Sequence, residues 1–358
     1  MKLHSLSLTR PAVWCAALTC VLGPLVAADK KADKKAGLIQ DDFPFQKACI
    51  GAKFPGKNDA NKGIAIRLGT NAAMCFDQDL LRWSAGWTGG FISSKGVTFD
   101  GSHGGHPELV GEQHWGLRVQ PGWADAAGSF KDPRSEPFGP LPRAWGRVSS
   151  LQVHGQEVTL NYEVLGTPIR ERAEAIEQDG LTVFVRNLFV GKNPKPLLAA
   201  LCEVDGAQGK VEGSTATLTA ANGQVTTVTL TGAPASAKLE LADNSRVLLR
   251  IPAGAGGSAF KIALARTDAA NTAKVAALSA GAPRFSDANK AGPAHWPDAV
   301  VTQGVLAASS TPDGAYVQDV LTRRSPTRGT VACASAAWTS SATASAPRSP
   351  PGTATCGS

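Results

Sequence analysis

A segment rich in aromatic, acidic and basic residues is the strongest candidate for chemistry in this sequence. It spans residues 76–91, FDQDLLRWSAGWTGGF. Tryptophan faces stack on the C–H faces of sugar rings, and Asp and Arg side chains form paired hydrogen bonds with hydroxyl groups. The candidate ligand-binding residues, for a glycan, are therefore Asp77, Asp79, Arg82, Trp83 and Trp87. The alternative is an aromatic core wedge with an internal Arg–Asp pair, because buried tryptophan is common in β-sandwiches.

Three histidines follow in the segment GSHGGHPELVGEQHW, namely His103, His106 and His114, with Glu108 and Glu112 nearby. Neutral imidazoles and carboxylates are zinc ligands. However, His-x-x-His between glycines is not a helical pair and matches no standard zinc spacing. We therefore expect no tightly bound metal. The sequence also contains no Cys-x-x-Cys-His motif for covalent haem, and no cofactor is predicted.

Hydrolase machinery is not evident from motifs. No nucleophile elbow, phosphate loop or dinucleotide fingerprint occurs in a suitable context. Glu171 and Glu174 are interpreted as part of a solvated face. Because glycosidase carboxylates need not be neighbours in sequence, a carbohydrate-active enzyme with dispersed carboxylates, mutarotase-like or glycosidase-like, stays open as an alternative.

The elements that must position these residues are predicted to be strands. Two hairpins are indicated, one from 63–68 and 72–76, the other from 147–153 and 157–164. Further strands are predicted at 181–190, 210–218, 224–231, 238–241, 246–251 and 259–265. The fold class is therefore all-β, a two-sheet β-sandwich or extended sandwich with long Pro/Gly-rich loops and at most one or two short helices.

Three segments depart from the simple strand pattern. Residues 169–178 fit either a helical turn or an extended strand. Residues 268–280 have helical composition, with Asp268 as the expected N-cap and Gly281 as the stop. Residues 121–146 are predicted to form a long ordered loop, because proline and glycine recur throughout.

Charge is concentrated at the two ends of the chain. The net charge of +7 includes +4 in residues 1–40 and +4 in residues 323–358, which leaves −1 for the residues between them. A near-neutral body lacks the electrostatic footprint that phosphate backbones require, so nucleic acid is excluded as a partner.

The N-terminus has the features of an export signal over residues 1–28. Lys2 and Arg10 precede an apolar run, and Val26-Ala27-Ala28 offers a small-residue cleavage site. A lipoprotein signal at Cys20 is the alternative. After cleavage, residues 29–40 form a charged linker, no membrane-spanning segment is expected, and the protein is predicted to be periplasmic or extracellular.

Three cysteines lie in the body: Cys49, Cys75 and Cys202. One pair, Cys49–Cys75 enclosing the shorter loop, could form a disulfide in an exported protein. The alternative is three small buried side chains. The sequence leaves both open.

The last residues, 323–358, differ abruptly in composition from everything before them. They lack Asp, Glu, Lys, Leu, Ile and Phe, so they are predicted to be disordered and to pack poorly. Reading Thr330–Ser358 in a shifted frame, with free codon bases chosen, yields an alternating apolar–polar string with turn signals, similar to strands of a propeller blade. We interpret the tail as the product of a frameshift.

The stretches KGIAIRLG, FDQDLLRWSAGWTGGF, EQHWGLRV, LPRAWGRV and AYVQDVLT together resemble an uncharacterised bacterial family, the domain of unknown function 6797. The resemblance spans roughly 42–322. It implies an exported module at the N-terminus of larger secreted proteins, followed by propeller-like, sorbosone-dehydrogenase-like and c-type cytochrome regions. It supplies no substrate and no catalytic residue.

These observations together predict a domain organisation and a function. An aromatic-rich β part (41–202) and an Ala/Thr-rich β part (203–290) precede a lead-in to a missing downstream domain (291–322) and the tail (323–358). The function favoured is a non-catalytic exported β module that binds a glycan or docks the adjoining redox domains, which are its expected partners.

Overall fold

The structure is a computed structural model. It describes residues 43–97, 101–136, 138–254, 257–286, 300–303 and 353–356. All of these residues belong to one compact unit, Gly37–Ser358. The predicted signal (1–28) and linker (29–40), and most of the predicted tail, lie outside the described residues.

The described chain is built almost entirely from β-strands. The first ten are β1 (Phe45–Ala52), β2 (Asn58–Leu68), β3 (Ala72–Asp77), β4 (Arg82–Thr88), β5 (Glu112–Gly116), β6 (Gly146–His154), β7 (Glu157–Val164), β8 (Thr167–Gln178), β9 (Leu181–Val190) and β10 (Leu197–Glu203). The others are β11 (Gln208–Glu212), β12 (Thr215–Thr219), β13 (Val225–Thr231), β14 (Lys238–Ala242), β15 (Arg246–Ile251), β16 (Ser258–Thr267), β17 (Val300–Gln303) and β18 (Thr353–Cys356).

Two eight-stranded antiparallel sheets form a β-sandwich, as the strand pattern predicted. The first sheet has the order β1-β2-β3-β4-β5-β10-β15-β14, and the second β11-β12-β13-β16-β9-β8-β7-β6. Both sheets therefore take strands from before and after residue 202. The main core lies between them and includes Trp83, Trp115, Tyr162, Phe184 and Phe260.

The structure tests the secondary structure predicted for three further segments. Residues 169–178 lie within strand β8, which pairs with β9 over ten residues. The single strand predicted over 210–218 is wrong, because a turn at Gly213 (φ +60°) divides it into β11 and β12. The loop over 121–146 is confirmed, since strand structure resumes only at Gly146.

A 3-10 turn (Ala269–Asn271) and helix α1 (Thr272–Leu278) form the short helical element. Asp268 accepts a hydrogen bond from the backbone N–H of Asn271, which confirms its predicted capping role. Val275 is buried against Val183, Val185 and Ala263 on the outer face of the second sheet. In the described part of the chain, no helix combines the length and the apolar character needed to cross a membrane.

Strand β18 is the one part of the predicted tail that the structure describes. It pairs antiparallel with β17, with Val300 opposite Cys356 and Gln303 opposite Thr353. The other residues of 323–358 lie outside the described part, so the frameshift interpretation stays a prediction.

Candidate functional site

Arg82, one of the predicted ligand residues, is buried at the start of β4 and surrounded by acceptors from the protein itself. Its Nε donates to Asp77 Oδ2 at 3.1 Å, and its Nη1 donates to Asn58 Oδ1 at 2.7 Å. Nη1 also donates to the backbone oxygen of Leu117 at 2.5 Å, and Nη2 donates to that of Asp59 at 3.0 Å. All three nitrogens of the guanidinium thus donate to the protein, and they tie three segments together.

Asp77 supports the tight turn between β3 and β4, in which Asp79 also lies. Asp77 Oδ1 accepts the backbone N–H groups of Asp79 and Leu80 at 3.1 and 3.4 Å. Leu81 adopts φ +51° in this turn. Burial raises the pKa of Asp79, and the negative charge of Asp77 raises it further. The structure therefore brings the predicted residues Asp77, Asp79 and Arg82 together, but in a buried turn.

The two tryptophans lie on opposite faces of β4 although they are four residues apart, because a register shift opposite Cys75 and Phe76 inserts an extra residue between them and reverses the alternation of side chains. Trp83 points into the main core, where its Nε1 donates to Glu171 Oε2 at 2.9 Å. Trp87 lies on the outer face of the first sheet in an apolar cluster with Ile92 and Leu109, and its Nε1 donates to Phe91 O at 2.9 Å. Trp83 is 2% exposed and Trp87 0%. A sugar ring needs an exposed indole face, and neither tryptophan offers one here.

A buried polar network around Glu171 was missed by the sequence interpretation, which placed this residue on a solvated face. Glu171 is fully buried between the sheets. Its carboxylate accepts Arg186 Nε at 2.7 Å, Arg186 Nη2 at 3.0 Å, and the hydroxyl of Tyr162. Trp123 Nε1 in turn donates to the Tyr162 hydroxyl at 3.2 Å. Burial, together with the Glu171 charge, raises the pKa of Tyr162 well above its usual value.

A second polar network lies on the outer face of the second sheet, one residue further along β8. Arg172 Nη2 donates to Glu157 Oε1 at 2.6 Å, and its Nη1 donates to Glu174 Oε2 at 2.9 Å. Lys261 Nζ lies 3.9 Å from Glu174 Oε1. The charges of these four side chains balance, so the group is neutral as a whole.

This outer network holds the chain as it leaves the sandwich, along residues 279–286, here called the exit segment. Ser286 Oγ donates to Glu157 Oε2 at 2.6 Å. The backbone N–H of Arg284 donates to Asn187 Oδ1 at 2.9 Å, and Lys261 Nζ donates to Ala280 O at 3.3 Å. Side chains of three different strands, β7, β9 and β16, thus fix the exit segment.

The three histidines lie in different surroundings. His103 is exposed, and His106 Nε2 lies 3.6 Å from Asp59 Oδ1. His114 Nε2 lies 2.8 Å from Thr88 Oγ1, and burial together with the nearby Arg266 charge lowers the pKa of His114 to about 4. Among the residues that the structure describes, no group of three or more His, Cys, Asp or Glu side chains is arranged to hold a metal ion.

The three body cysteines are free thiols, so the Cys49–Cys75 disulfide is not formed, and two of the three, Cys75 and Cys202, are buried as the alternative predicted, whereas Cys49 is half-buried. Burial raises the pKa of Cys75 and of Cys202 to about 12. Burial also raises the pKa of Cys49, whose Sγ donates to Asn61 Oδ1 at 3.6 Å. None of these thiols is poised to react as a thiolate.

Residues 74–171 match a protein family described as a domain of unknown function. They are a DUF6797 domain. The DUF6797 match begins inside β3 and ends at Glu171 in β8, so it includes all eight residues that the sequence singled out as ligand or metal candidates. The sequence has no match among curated proteins.

Two solved structures are similar to the chain at low identity. One is heparan sulfate lyase HepC from Pedobacter heparinus, at 10% identity and a TM-score of 0.30. The other is a mutant of the same lyase, at 11% identity and a TM-score of 0.29. Each match covers 57% of this chain and 35% of the lyase chain. The chain, which includes the DUF6797 domain, thus spans about a third of the length of the lyase.

Proposed function

We propose that this chain is an exported, non-catalytic β-sandwich module that docks the part of the protein following the exit segment. The observation that carries the proposal is the exit anchor, defined as Glu157, Asn187 and Lys261 with their three hydrogen bonds to the exit segment. A chain that merely continued past a sandwich would need no such bonds. A chain fixed at its exit restricts the directions in which the next module can lie.

The buried charges support a non-catalytic role. Asp77 is paired with Arg82, and Glu171 is paired with Arg186, in each case through hydrogen bonds away from solvent. A general acid or base must reach the proton that it transfers. These carboxylates instead satisfy arginines in the interior, which stabilises the fold without exposing a reactive group.

The expected neighbours are those that the family resemblance implies, namely propeller-like and cytochrome regions of a larger secreted protein. Export rests on the signal-like features of residues 1–28. In this arrangement the sandwich has no redox chemistry of its own and serves to position the regions that do.

Trypsin tests the exit anchor, because Arg284 is an exposed cleavage site inside the exit segment. In the full chain we expect slow cleavage after Arg284, since proteases need a locally opened chain. Substituting Glu157→Gln together with Asn187→Ala should speed this cleavage roughly tenfold, which corresponds to about 1.4 kcal/mol of local stability. Glu163→Gln is the matched control, because Glu163 lies on the same strand and pairs with Arg147 outside the exit segment.

Equal cleavage rates in the double variant and in the control would contradict docking through the exit anchor. A separate result would overturn the non-catalytic role. If the full chain degrades members of a polysaccharide panel, and one carboxylate substitution abolishes that turnover without unfolding the chain, then the carbohydrate-active enzyme is the correct alternative.

A further inference from the structure

A cavity of about 290 Å³ opens at the end of the second sheet where the turn after β8, the turn before β13 and the start of the helical element meet. The cavity lies at the end of the sandwich opposite the buried Asp77–Arg82 turn. The β2–β3 turn is at the cavity end, because Asn71 in that turn donates to Glu177, near the end of β8, at 3.2 Å. The cavity volume is at the lower end of the range of ligand pockets, about 300–1,000 Å³. It therefore suits one small ring rather than a long chain.

The lining is polar and balanced in charge. Its lining includes the acids Asp179 and Asp268, the bases Arg266 and Lys274, and the side-chain amides of Gln178, Gln224 and Asn271. No aromatic side chain is among the described residues that line it. Amides and carboxylates both match hydroxyl groups, because a hydroxyl donates one hydrogen bond and accepts others. The balanced charge favours a neutral ligand over an anion or a cation.

Part of the wall is fixed before any ligand arrives. Asp268 accepts the backbone N–H of Asn271 at 2.8 Å and its side-chain Nδ2 at 3.1 Å, which orients the Asn271 amide. Arg266 Nη1 donates to Gln113 O at 3.1 Å, and its Nη2 donates to Glu112. Binding to groups that are already ordered costs less conformational entropy than binding to free side chains.

Two side chains of the wall have hydrogen-bonding capacity left for a ligand. The side-chain amide of Gln224 and the Lys274 ammonium make no hydrogen bond to other described residues. We propose that this cavity binds a single neutral sugar unit, with Gln224, Asn271 and Lys274 contacting its hydroxyl groups. Without an aromatic platform the binding is weak, in the millimolar range. This inference is independent of the docking proposal, because the exit anchor and the cavity share no residue.

The test is an NMR titration of the full chain with the methyl glycosides of glucose, galactose and mannose. With at least one of the three glycosides we expect saturable changes in amide chemical shift, confined to residues 178–181, 224 and 266–274. Gln224→Leu, in an exposed turn, should weaken that binding roughly fivefold, the effect of one lost hydrogen bond. Gln152→Leu on strand β6 is the matched control and should leave it unchanged.

Three results would overturn the sugar site. One is the absence of saturable shifts with all three glycosides. Another is that glycerol, a small polyol without a ring, produces the same shifts at the same concentrations. The third is equal weakening by Gln224→Leu and Gln152→Leu. Trypsin cleavage after Arg284 reports on docking separately, so the two proposals can fail independently.

Discussion

Strand β8 carries two charged networks, one on each of its faces. Glu171 points between the sheets and is fully buried with Arg186, whereas Arg172 points outward to Glu157 and Glu174. The inner pair is enclosed by Tyr162 and Trp83. Two members of the outer group, Glu157 and Lys261, hold the exit segment. Neighbouring residues of one strand thus serve the core in one case and the docking of the chain in the other.

The inner network should show the largest effect on stability. Glu171→Gln leaves Arg186 buried without a counter-charge, and breaking such a pair costs about 3–5 kcal/mol. Urea unfolding of the full chain measures this change in the free energy of unfolding. The exposed pair Arg147–Glu163 supplies the control, since Glu163→Gln should cost less than about 1 kcal/mol.

A double substitution sharpens the same prediction. Glu171→Leu with Arg186→Met removes both charges, and it should recover part of the stability that Glu171→Gln loses. If Glu171→Gln lowers the free energy of unfolding no more than Glu163→Gln does, the inner pair does not support the core in the way described.

The outer network should show a smaller effect on global stability. Arg172→Met removes hydrogen bonds to two carboxylates that retain access to solvent, so we expect a loss of about 1–2 kcal/mol. Trypsin should in addition cleave after Arg284 faster in this variant, because Glu157 loses the partner that orients it. If Arg172→Met lowers the free energy of unfolding as much as Glu171→Gln does, the outer network contributes as much to global stability as the inner one, which would contradict this prediction.

His114 is a partly buried polar group beside the positive charge of Arg266, and it should respond to pH. Its folded pKa of about 4 lies below the ordinary value of 6.5, so the unfolded chain binds a proton first as the pH falls. Stability should therefore fall as the pH drops from about 6.5 towards 4. His114→Gln should flatten this slope, measured by urea unfolding at several pH values. Gln152→Leu, on strand β6, is the control and should leave the slope as it is, because it changes no titratable group.

The all-β class and most strand positions could be predicted from the sequence because alternation and turn residues are local signals. The Asp268 cap is equally local. The face on which each charged side chain lies could not be predicted in the same way. Strand β8 places charges on both faces, so alternation does not reveal that Glu171 is inside and Glu174 outside.

The site was harder to predict than the fold for a further reason. Clustering of Trp83 and Trp87 with Asp77 and Arg82 is compatible with both a sugar platform and a packed core, and the sequence does not distinguish them. The outer face of β4 is covered by the later segment around Phe91 and Leu109. The polar cavity combines turns near residues 179, 224 and 268, which only the assembled sheet brings together.

The measurement that tests the docking account most directly is hydrogen exchange at individual amides of the exit segment. The Arg284 amide donates to Asn187, whereas the Ala282 amide donates to no described residue. We predict that the Arg284 amide is protected in the full chain, that the Ala282 amide is not, and that Asn187→Ala removes the protection. Exchange of the Arg284 amide at the rate of an unprotected amide in the unchanged protein would contradict the account.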